Sequence, residues 1–220
     1  MLDVRKHLKD CTTLRALSVT QLSALAQLCQ LLTISRGTSI YYASDEPRYV
    51  YLVAEGRVRI CHIDESGKQS ILLLVQPGQL FGELAVCLNG SREERGETTE
   101  DSKIVAIPTD KLRQVIRENA ELSFDMLSLF SVRRQATERR FKCVLFQSSR
   151  HRLLSLLQEL AEIDGTSDGS EIRIRHSLSH QDLASMIGVT RETVTLTLGQ
   201  LRNERLVRID NGQIVIRKLP

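Results

Sequence analysis

The chain has 220 residues, a length that allows one large domain or two small ones. Its apolar and charged contents, 41% and 26%, are ordinary for a globular protein, and a net charge of +3 is too small to identify a nucleic-acid partner. The longest aliphatic run, Ile71–Val75, is too short to cross a bilayer, and the charged segment Met1–Asp10 lacks the apolar core of a signal peptide, so a cytoplasmic protein without membrane contact is expected.

Cysteine usage and motif content narrow the function classes further. The five cysteines are widely spaced and form no C-x-x-C pair, which argues against a disulfide scaffold and against a compact zinc site. We therefore expect no metal. The sequence contains no nucleophile–base arrangement, Gly-rich nucleotide loop or H-E-x-x-H motif, so an enzyme is not expected either.

After a helical opening, Thr12–Leu32, residues 33–107 form short β-rich runs separated by turn residues. The runs are Thr38–Tyr42, Tyr49–Ala54, Arg57–Ile63, Ser70–Leu74 and Lys103–Ile107. Regular short strands of this kind indicate an all-β sandwich, barrel or roll. Residues 92–100 carry six charges in nine positions, which is typical of an exposed loop.

From Pro108 the pattern becomes helical, with Thr109-Asp110 before a short helix to about Glu118 and then a longer helix from about Asn119 to Phe146 without Gly or Pro. Apolar or small residues recur every seven positions in the longer helix, a partial heptad that predicts pairing in a parallel homodimer. Burial against the chain's own β domain is the alternative. The expected interface residues are Leu122, Met126, Leu129, Val132, Ala136 and Cys143.

Residues 178–206 predict two short helices separated by Gly188, which tolerates the positive φ of a tight turn. Ser179 is placed to cap the first helix and Thr190 the second. At 100° per residue the second helix buries Val194, Leu198 and Leu201. Its opposite face then carries Arg191, Glu192, Thr195 and Leu196. A helix-turn-helix protein reads base edges from this position, although a plain helical hairpin shows the same pattern.

The sequence around these helices predicts strands. A helix over Ser149–Ile163, after a hinge at Ser148–Ser149, leads to a polar, loop-like stretch, Asp164–Ser170, and a strand, Glu171–Arg175. Downstream, Asn211-Gly212 predicts a hairpin. Together these elements indicate a winged module. Basic residues that would contact phosphates concentrate here: Arg173, Arg175, Arg191, Arg202, Arg205, Arg208, Arg217 and Lys218.

Two motifs resemble the cyclic-AMP receptor protein/FNR family of bacterial transcription regulators. One is Pro77–Leu84, Pro-Gly-Gln-Leu-Phe-Gly-Glu-Leu, which is similar to the opening of the family's phosphate-binding cassette; we call it the cassette. The other is Ser179–Leu201, with Val-Thr-Arg-Glu-Thr-Val at 189–194.

The resemblance spans nearly the whole chain and implies an α+β fold. An N-terminal double-stranded β-roll, a jelly roll of the cyclic-nucleotide-binding type, would occupy 1–118, a dimerisation helix 119–147 and a winged helix-turn-helix 148–220. It implies a transcription regulator that binds double-stranded DNA as a homodimer and works with RNA polymerase. The alternative is a cyclic-nucleotide-type sensor that acts through a protein partner.

The resemblance also assigns residues in the second helix. Arg191 matches the family's guanine-contacting arginine, and Glu192 matches a glutamate that accepts from cytosine. Leu196 stands where the cyclic-AMP receptor pattern has a second arginine, so an altered operator is expected. The expected DNA-binding residues are Ser179, His180, Gln181, Thr190, Arg191, Glu192, Thr193, Thr195, Leu196 and Arg202.

An effector pocket in the β-roll is implied by the cassette. Counted without gaps, Glu93 and Glu94 fall where the family has an Arg-Ser pair for the cyclic phosphate, which argues against cyclic AMP. A gap would bring Arg92 or Arg95 into place. The candidate pocket residues are Gly82, Glu83, Leu84, Arg92, Arg95 and Thr137, the last of which matches an adenine-contacting threonine. Effector identity, and whether an effector exists, stay open, and no cofactor is assigned.

Overall fold

A computed structural model describes residues 2–88, 90–175 and 178–217. The chain divides into two units, Met1–Arg134 and Gln135–Pro220. The three domain ranges expected from the resemblance stay a prediction, since this division falls inside the long helix.

The first unit contains two antiparallel four-stranded sheets. Helices α1 (Leu2–Asp10) and α2 (Val19–Leu28) come first, with a 3₁₀ turn at Thr12–Leu14 between them. The strands are β1 (Gln30–Ile34), β2 (Ser39–Tyr41), β3 (Tyr49–Glu55), β4 (Val58–Ile63), β5 (Gln69–Val75), β6 (Leu80–Phe81), β7 (Arg95–Thr98) and β8 (Ser102–Pro108). One sheet has the order β1-β8-β3-β6 and the other the order β2-β7-β4-β5. This arrangement confirms the predicted β-roll.

The central strands of the first sheet bury side chains on both faces. Val50 and Leu52 of β3 pack in a cluster with the helices, whereas Tyr51 and Val53 pack between the two sheets. Leu52 lies opposite Val105 of β8 in the antiparallel pair. Because side chains alternate along a strand, these two strands join the helical layer to the interior of the roll.

Two sequence predictions for this unit are wrong. The helical opening ends earlier than expected, since β1 already begins at Gln30. The segment expected as an exposed loop contains β7, which pairs with β2 and β4, and both Arg92 and Glu97 are only 6% exposed. Glu97 forms ion pairs with Arg59 (2.6 Å) and Arg95 (2.5 Å). These opposite charges compensate one another, as burial of a charge requires.

Helices α3 (Thr109–Glu118) and α4 (Ala120–Phe146) follow, close to the predicted bounds. Leu122 is fully buried and Met126 is 3% exposed, both in the core of the first unit, and Leu129 packs against that core. The expectation that Leu122 and Met126 lie in a dimer interface is therefore wrong, because neither offers surface to a partner. The first two positions of the sevenfold repeat, Leu122 and Leu129, therefore lie on the face of α4 that covers the first unit.

The second unit contains α5 (Ser149–Asp164), β9 (Gly165–Asp168), β10 (Glu171–Ile174), α6 (His180–Ile187), α7 (Arg191–Asn203), β11 (Val207–Asp210) and β12 (Gln213–Arg217). Its strands form one antiparallel sheet in the order β11-β12-β10-β9. The loop expected at 164–170 is wrong, because Ser167 of β9 pairs with Ile172 of β10. Asn211 and Gly212 have φ of 49° and 78°, which the predicted two-residue hairpin turn requires.

Within the described ranges, no helix combines the length and the apolar character needed to span a membrane.

Candidate nucleic-acid interface and cassette

Helix α6 is fixed at both ends. Ser179 and Asp182 form a capping box, in which Asp182 N donates to Ser179 Oγ (3.0 Å) and Ser179 N donates to Asp182 Oδ2 (3.1 Å). At the other end Gly188 adopts φ 68°, and Arg152 of α5 donates from Nη1 to the carbonyl of Ile187 (2.9 Å). The predicted cap and turn are confirmed, and they give α6 a defined position against its neighbours.

Helix α7 has one buried and one exposed face, as the sequence predicts. Thr190 caps it by accepting from Thr193 N (3.2 Å). The buried residues are Val194, Thr197, Leu198 and Leu201. The exposed residues at its start are Arg191, Glu192, Thr195 and Leu196. A helix held in the core on one side therefore presents these four side chains to solvent on the other.

The carboxylate of Glu192 lies at the N-terminus of α7. Hydrogen bonds from its own backbone N–H and from the Thr190 side chain lower the pKa of Glu192. Glu192 is thus held in its ionised form, which accepts hydrogen bonds and donates none. This state suits the expected contact with the exocyclic amine of cytosine.

A hydrogen bond joins α6 to the exposed face of α7. His180 Nδ1 lies 2.8 Å from Thr195 Oγ1, and Thr195 Oγ1 donates to the carbonyl of Arg191 (3.0 Å). The hydroxyl has a single proton, so both bonds form together only when His180 Nδ1 carries a proton and donates it. This bond could not be predicted from the sequence, because the two residues are brought together only by the packing of α6 on α7.

Part of the expected basic surface is already neutralised. Arg173 pairs with Asp210 (2.5 Å), and Arg208 pairs with both Glu171 (2.7 Å) and Asp210 (3.2 Å). We call these four residues the wing network. Arg191, Arg202, Arg205 and Arg217 are exposed, and Lys218 lies outside the described residues. Arg191, Arg202, Arg205 and Arg217 are therefore better candidates for phosphate contacts than the ion-paired Arg173 and Arg208.

The wing network predicts an acid-sensitive wing. A hydrogen bond from Arg208 lowers the pKa of Glu171 below 4.5, and one from Arg173 lowers the pKa of Asp210 below 3.8. A carboxyl whose pKa is lower in the folded state stabilises the fold above its unfolded pKa, and loses that contribution as the pH falls through the folded value. We expect the melting temperature measured by calorimetry to decrease when the pH is lowered below about 4. This decrease should be smaller in Asp210→Asn than in Glu162→Gln, a control that removes an exposed carboxylate. Equal slopes in both variants would contradict a stabilising network.

The cassette turns sharply at Gly82 and buries the carboxylate beside it. Gly82 adopts φ 64°, and a 3₁₀ turn, Glu83–Val86, follows. Glu83 is 7% exposed, and its Oε1 forms an ion pair with Arg133 Nη1 of α4. Arg133 Nη2 also donates to the carbonyl of Leu80 (2.5 Å). Arg133 therefore binds the cassette at two points and compensates the buried charge of Glu83.

Arg92 is the second cation at the cassette. Its guanidinium carbon lies 3.9 Å from the centre of the Tyr41 ring, and Nη2 donates to the carbonyl of Tyr49 (2.5 Å). A Cβ added at Gly82 would come within 2.6 Å of Arg92 Nη1. A side chain at this position would have to displace the Arg92 guanidinium and to adopt a left-handed backbone conformation. Of the two arginines that a gap would bring into place, Arg92 is the one beside Gly82.

The remaining pocket candidates are placed differently. Arg95 donates to Ser39 Oγ (2.7 Å) and pairs with Glu97, so its guanidinium is committed within the second sheet. Leu84 is 45% exposed, and Thr137 is an exposed residue of α4. The effector pocket stays a prediction, for which the geometry favours Gly82, Glu83 and Arg92. Among the residues that the structure describes, no cluster of His, Cys, Asp and Glu is suited to hold a metal ion.

Comparison with known proteins gives matches to two family models. Residues 31–119 match the cyclic nucleotide-binding domain, and residues 151–220 match the Crp-like helix-turn-helix domain. The chain is 30% identical over 189 residues to the global nitrogen regulator of Nostoc sp. PCC 7120, covering 84% of each protein. It is 25% identical over 195 residues to the CRP-like cAMP-activated global transcriptional regulator of Mycobacterium tuberculosis, covering 89% of this chain and 87% of that protein.

Solved structures share this fold. A CRP/FNR-family transcriptional regulator from Thermus thermophilus is 28% identical, with a TM-score of 0.70 and coverage of 86% of this chain and 94% of that one. The c-di-GMP-responsive global regulator of Xanthomonas campestris has a TM-score of 0.79 over 92% of this chain and 100% of that one. At 18% identity, the second likeness speaks for the fold alone.

Proposed function

Because this chain belongs to the CRP/FNR family of transcription regulators, we propose that it binds a palindromic DNA operator as a homodimer and reads the bases with α7. The observation that carries this proposal is the exposed pair Arg191 and Glu192 at the start of a helix whose other face is buried. The proteins it matches are transcription regulators, which speaks against the alternative of a sensor acting only through a protein partner.

Direct readout would come from the first turn of α7. The Arg191 guanidinium donates from two nitrogens at once, which suits the O6 and N7 acceptors of guanine, and ionised Glu192 accepts from cytosine N4. Ser179, His180 and Gln181 lie at the start of α6, where a helix-turn-helix crosses the phosphate backbone. Arg202, at the far end of α7, adds a charge for phosphate contact.

The exposed side of α4 supports a dimer through a different face from the one that the sequence suggested. Phe124, Leu127, Phe141 and Leu145 are 68%, 59%, 62% and 56% exposed, and they fall in one heptad frame as two pairs, one towards each end of α4, with polar residues at the frame positions between them. A stripe of this period pairs two helices. We name these four residues the α4 stripe. Val132, 61% exposed, lies off this row, and Ala136 and Cys143 are half-buried.

We expect an effector of this chain to bind at the cassette. It would find the Glu83–Arg133 ion pair and the Arg92 guanidinium at the same turn, so its binding would bear on α4 through Arg133. Such a ligand shifts the DNA-binding equilibrium by its difference in affinity for the two states. The ligand's chemistry is left open. RNA polymerase as a partner and a cytoplasmic location follow from the same family role.

Selection of bound sequences from random duplex DNA tests the proposal. The full chain is used near physiological salt, once without ligand and once with cyclic AMP. We expect enrichment of a palindrome whose half-sites contain G·C pairs and lie about one DNA turn apart. Enrichment only with cyclic AMP would identify an effector. No enrichment in either arm would contradict the proposed function.

Arg191→Ala is expected to weaken operator binding by about 1–3 kcal/mol and to flatten the preference at one G·C pair. The matched control is Arg202→Ala at the other end of the same helix. If Arg202 contacts a phosphate, its loss should weaken binding to all sequences equally. It should also reduce the slope of log affinity against log salt concentration by about one. Titrations against the operator and against single-base variants distinguish the two patterns. A uniform loss for Arg191→Ala would make Arg191 a phosphate contact instead.

A further inference from the structure

Two apolar groups lie beside the polar pair on the exposed face of α7. Leu196 is 71% exposed, although the helix buries other apolar residues fully. Leu196 follows Glu192 by four residues, and Thr195 follows Arg191 by four, so each lies one helical turn beyond a member of the pair. A DNA major groove that receives Arg191 and Glu192 would therefore receive Thr195 and Leu196 as well.

The hydroxyl of Thr195 has little left to offer a base. Its proton is used in the bond to the carbonyl of Arg191 (3.0 Å), and one of its acceptor positions receives His180 Nδ1 (2.8 Å). It has no proton with which to approach guanine O6 or N7, adenine N7 or thymine O4, which are all acceptors. Besides its second acceptor position, which only the amine of adenine or cytosine can use, Thr195 presents its methyl to the groove, next to the Leu196 side chain.

We propose, on the basis of the proposed DNA-binding function, that Thr195 and Leu196 form an apolar reader for the 5-methyl group of thymine. Apolar side chains discriminate thymine in the major groove through this methyl. The reader places a T·A pair within each half-site, near the G·C pair that Arg191 reads. His180 is a positioning residue, since its bond turns the Thr195 hydroxyl away from the bases.

The test removes only the methyl group from the DNA. Deoxyuridine replaces thymidine at one position at a time, symmetrically in both half-sites of the selected operator, and the affinity of the full-length dimer is measured. Loss of one buried methyl costs about fourfold, so two half-sites should lose about 15-fold at the position that the reader contacts. Other thymidines should show no loss on this scale.

Protein variants assign the effect to the two side chains. Leu196→Ala should weaken binding to the thymidine operator and bring the thymidine-to-deoxyuridine ratio close to one. The control Ile163→Ala removes a similar exposed side chain, 52% exposed on α5, and should leave the ratio unchanged. Thr195→Ser keeps the hydroxyl and loses the methyl, so it should lower the ratio, whereas Thr195→Val keeps the methyl and should preserve it.

Several outcomes would overturn the inference. Specific binding without discrimination at any thymidine, or a selected half-site without thymidine, would remove the reader while the proposed function stands. Retained discrimination in Thr195→Ser together with its loss in Thr195→Val would make the hydroxyl the reading group. Failure to select any operator would overturn both the proposed function and this inference.

Discussion

Replacing Arg133 with methionine should lower the free energy of unfolding of the first unit by about 3 kcal/mol, because it leaves the buried Glu83 carboxylate without its partner. Glu83 is 7% exposed, and Arg133 also donates to the carbonyl of Leu80. Methionine retains an apolar stem of similar length, so the change removes chiefly the charge. The same substitution at Arg139, an exposed residue of the same helix, is the matched control and should leave the unit unchanged.

The measurement is specific to the first unit. The chain has four tyrosines and no tryptophan, and all four tyrosines lie between positions 41 and 51. Urea unfolding followed by tyrosine near-ultraviolet circular dichroism therefore reports on the β-roll alone. The double variant Glu83→Gln/Arg133→Met should recover much of the loss, because neither charge is then buried unpaired. A single variant as stable as the control would show that water already screens the pair.

The helix-turn-helix was predictable because its signals are local. Each helix end is capped by a residue close to it in the sequence. Ser179 and Thr190 accept hydrogen bonds from backbone N–H groups three residues on, and Gly188 has the left-handed conformation typical of a helix C-terminus. The hairpin at Asn211-Gly212 is predictable for the same reason. A structural role that depends only on the local backbone conformation can therefore be predicted from the local sequence.

The failures share a different cause, which is that the partner lies far away in the sequence. The charges of segment 92–100 are typical of a solvated loop. Glu97 is nevertheless buried, because Arg59, 38 residues away in the sequence, forms an ion pair with it. The bond between His180 and Thr195 exists only because α6 packs on α7. The cassette's link to α4 likewise joins Leu80 and Arg133, which are 53 residues apart. Rules based on neighbouring residues cannot predict such long-range pairs.

The long helix shows the limit of periodicity. A sevenfold repeat predicts that a face of α4 is buried, but it does not say whether the cover is another copy or the same chain. Leu122 and Leu129 satisfy the repeat by packing into their own unit. The residues that stay exposed, Phe124 and Leu127 among them, then define the side on which a second helix would pack. Periodicity alone therefore does not distinguish a face buried within the chain from a face buried in a dimer.

The double substitution Leu127→Glu/Phe141→Glu should convert the dimer to a monomer and weaken binding to a palindromic operator by about two orders of magnitude or more. Two charges of the same sign on each helix would face their copies across the α4 stripe, where apolar contact is otherwise expected. A monomer contacts one half-site at a time, and therefore loses the gain of about 10²–10⁴ that linkage of two sites provides. Sedimentation velocity gives the mass, and titration of full and half operators gives the affinity. The control is Val132→Glu, which adds one charge of the same sign at an equally exposed position off the stripe and should leave the dimer intact. If Val132→Glu dissociates the dimer and the double variant does not, the pairing face is the one expected from the sevenfold repeat.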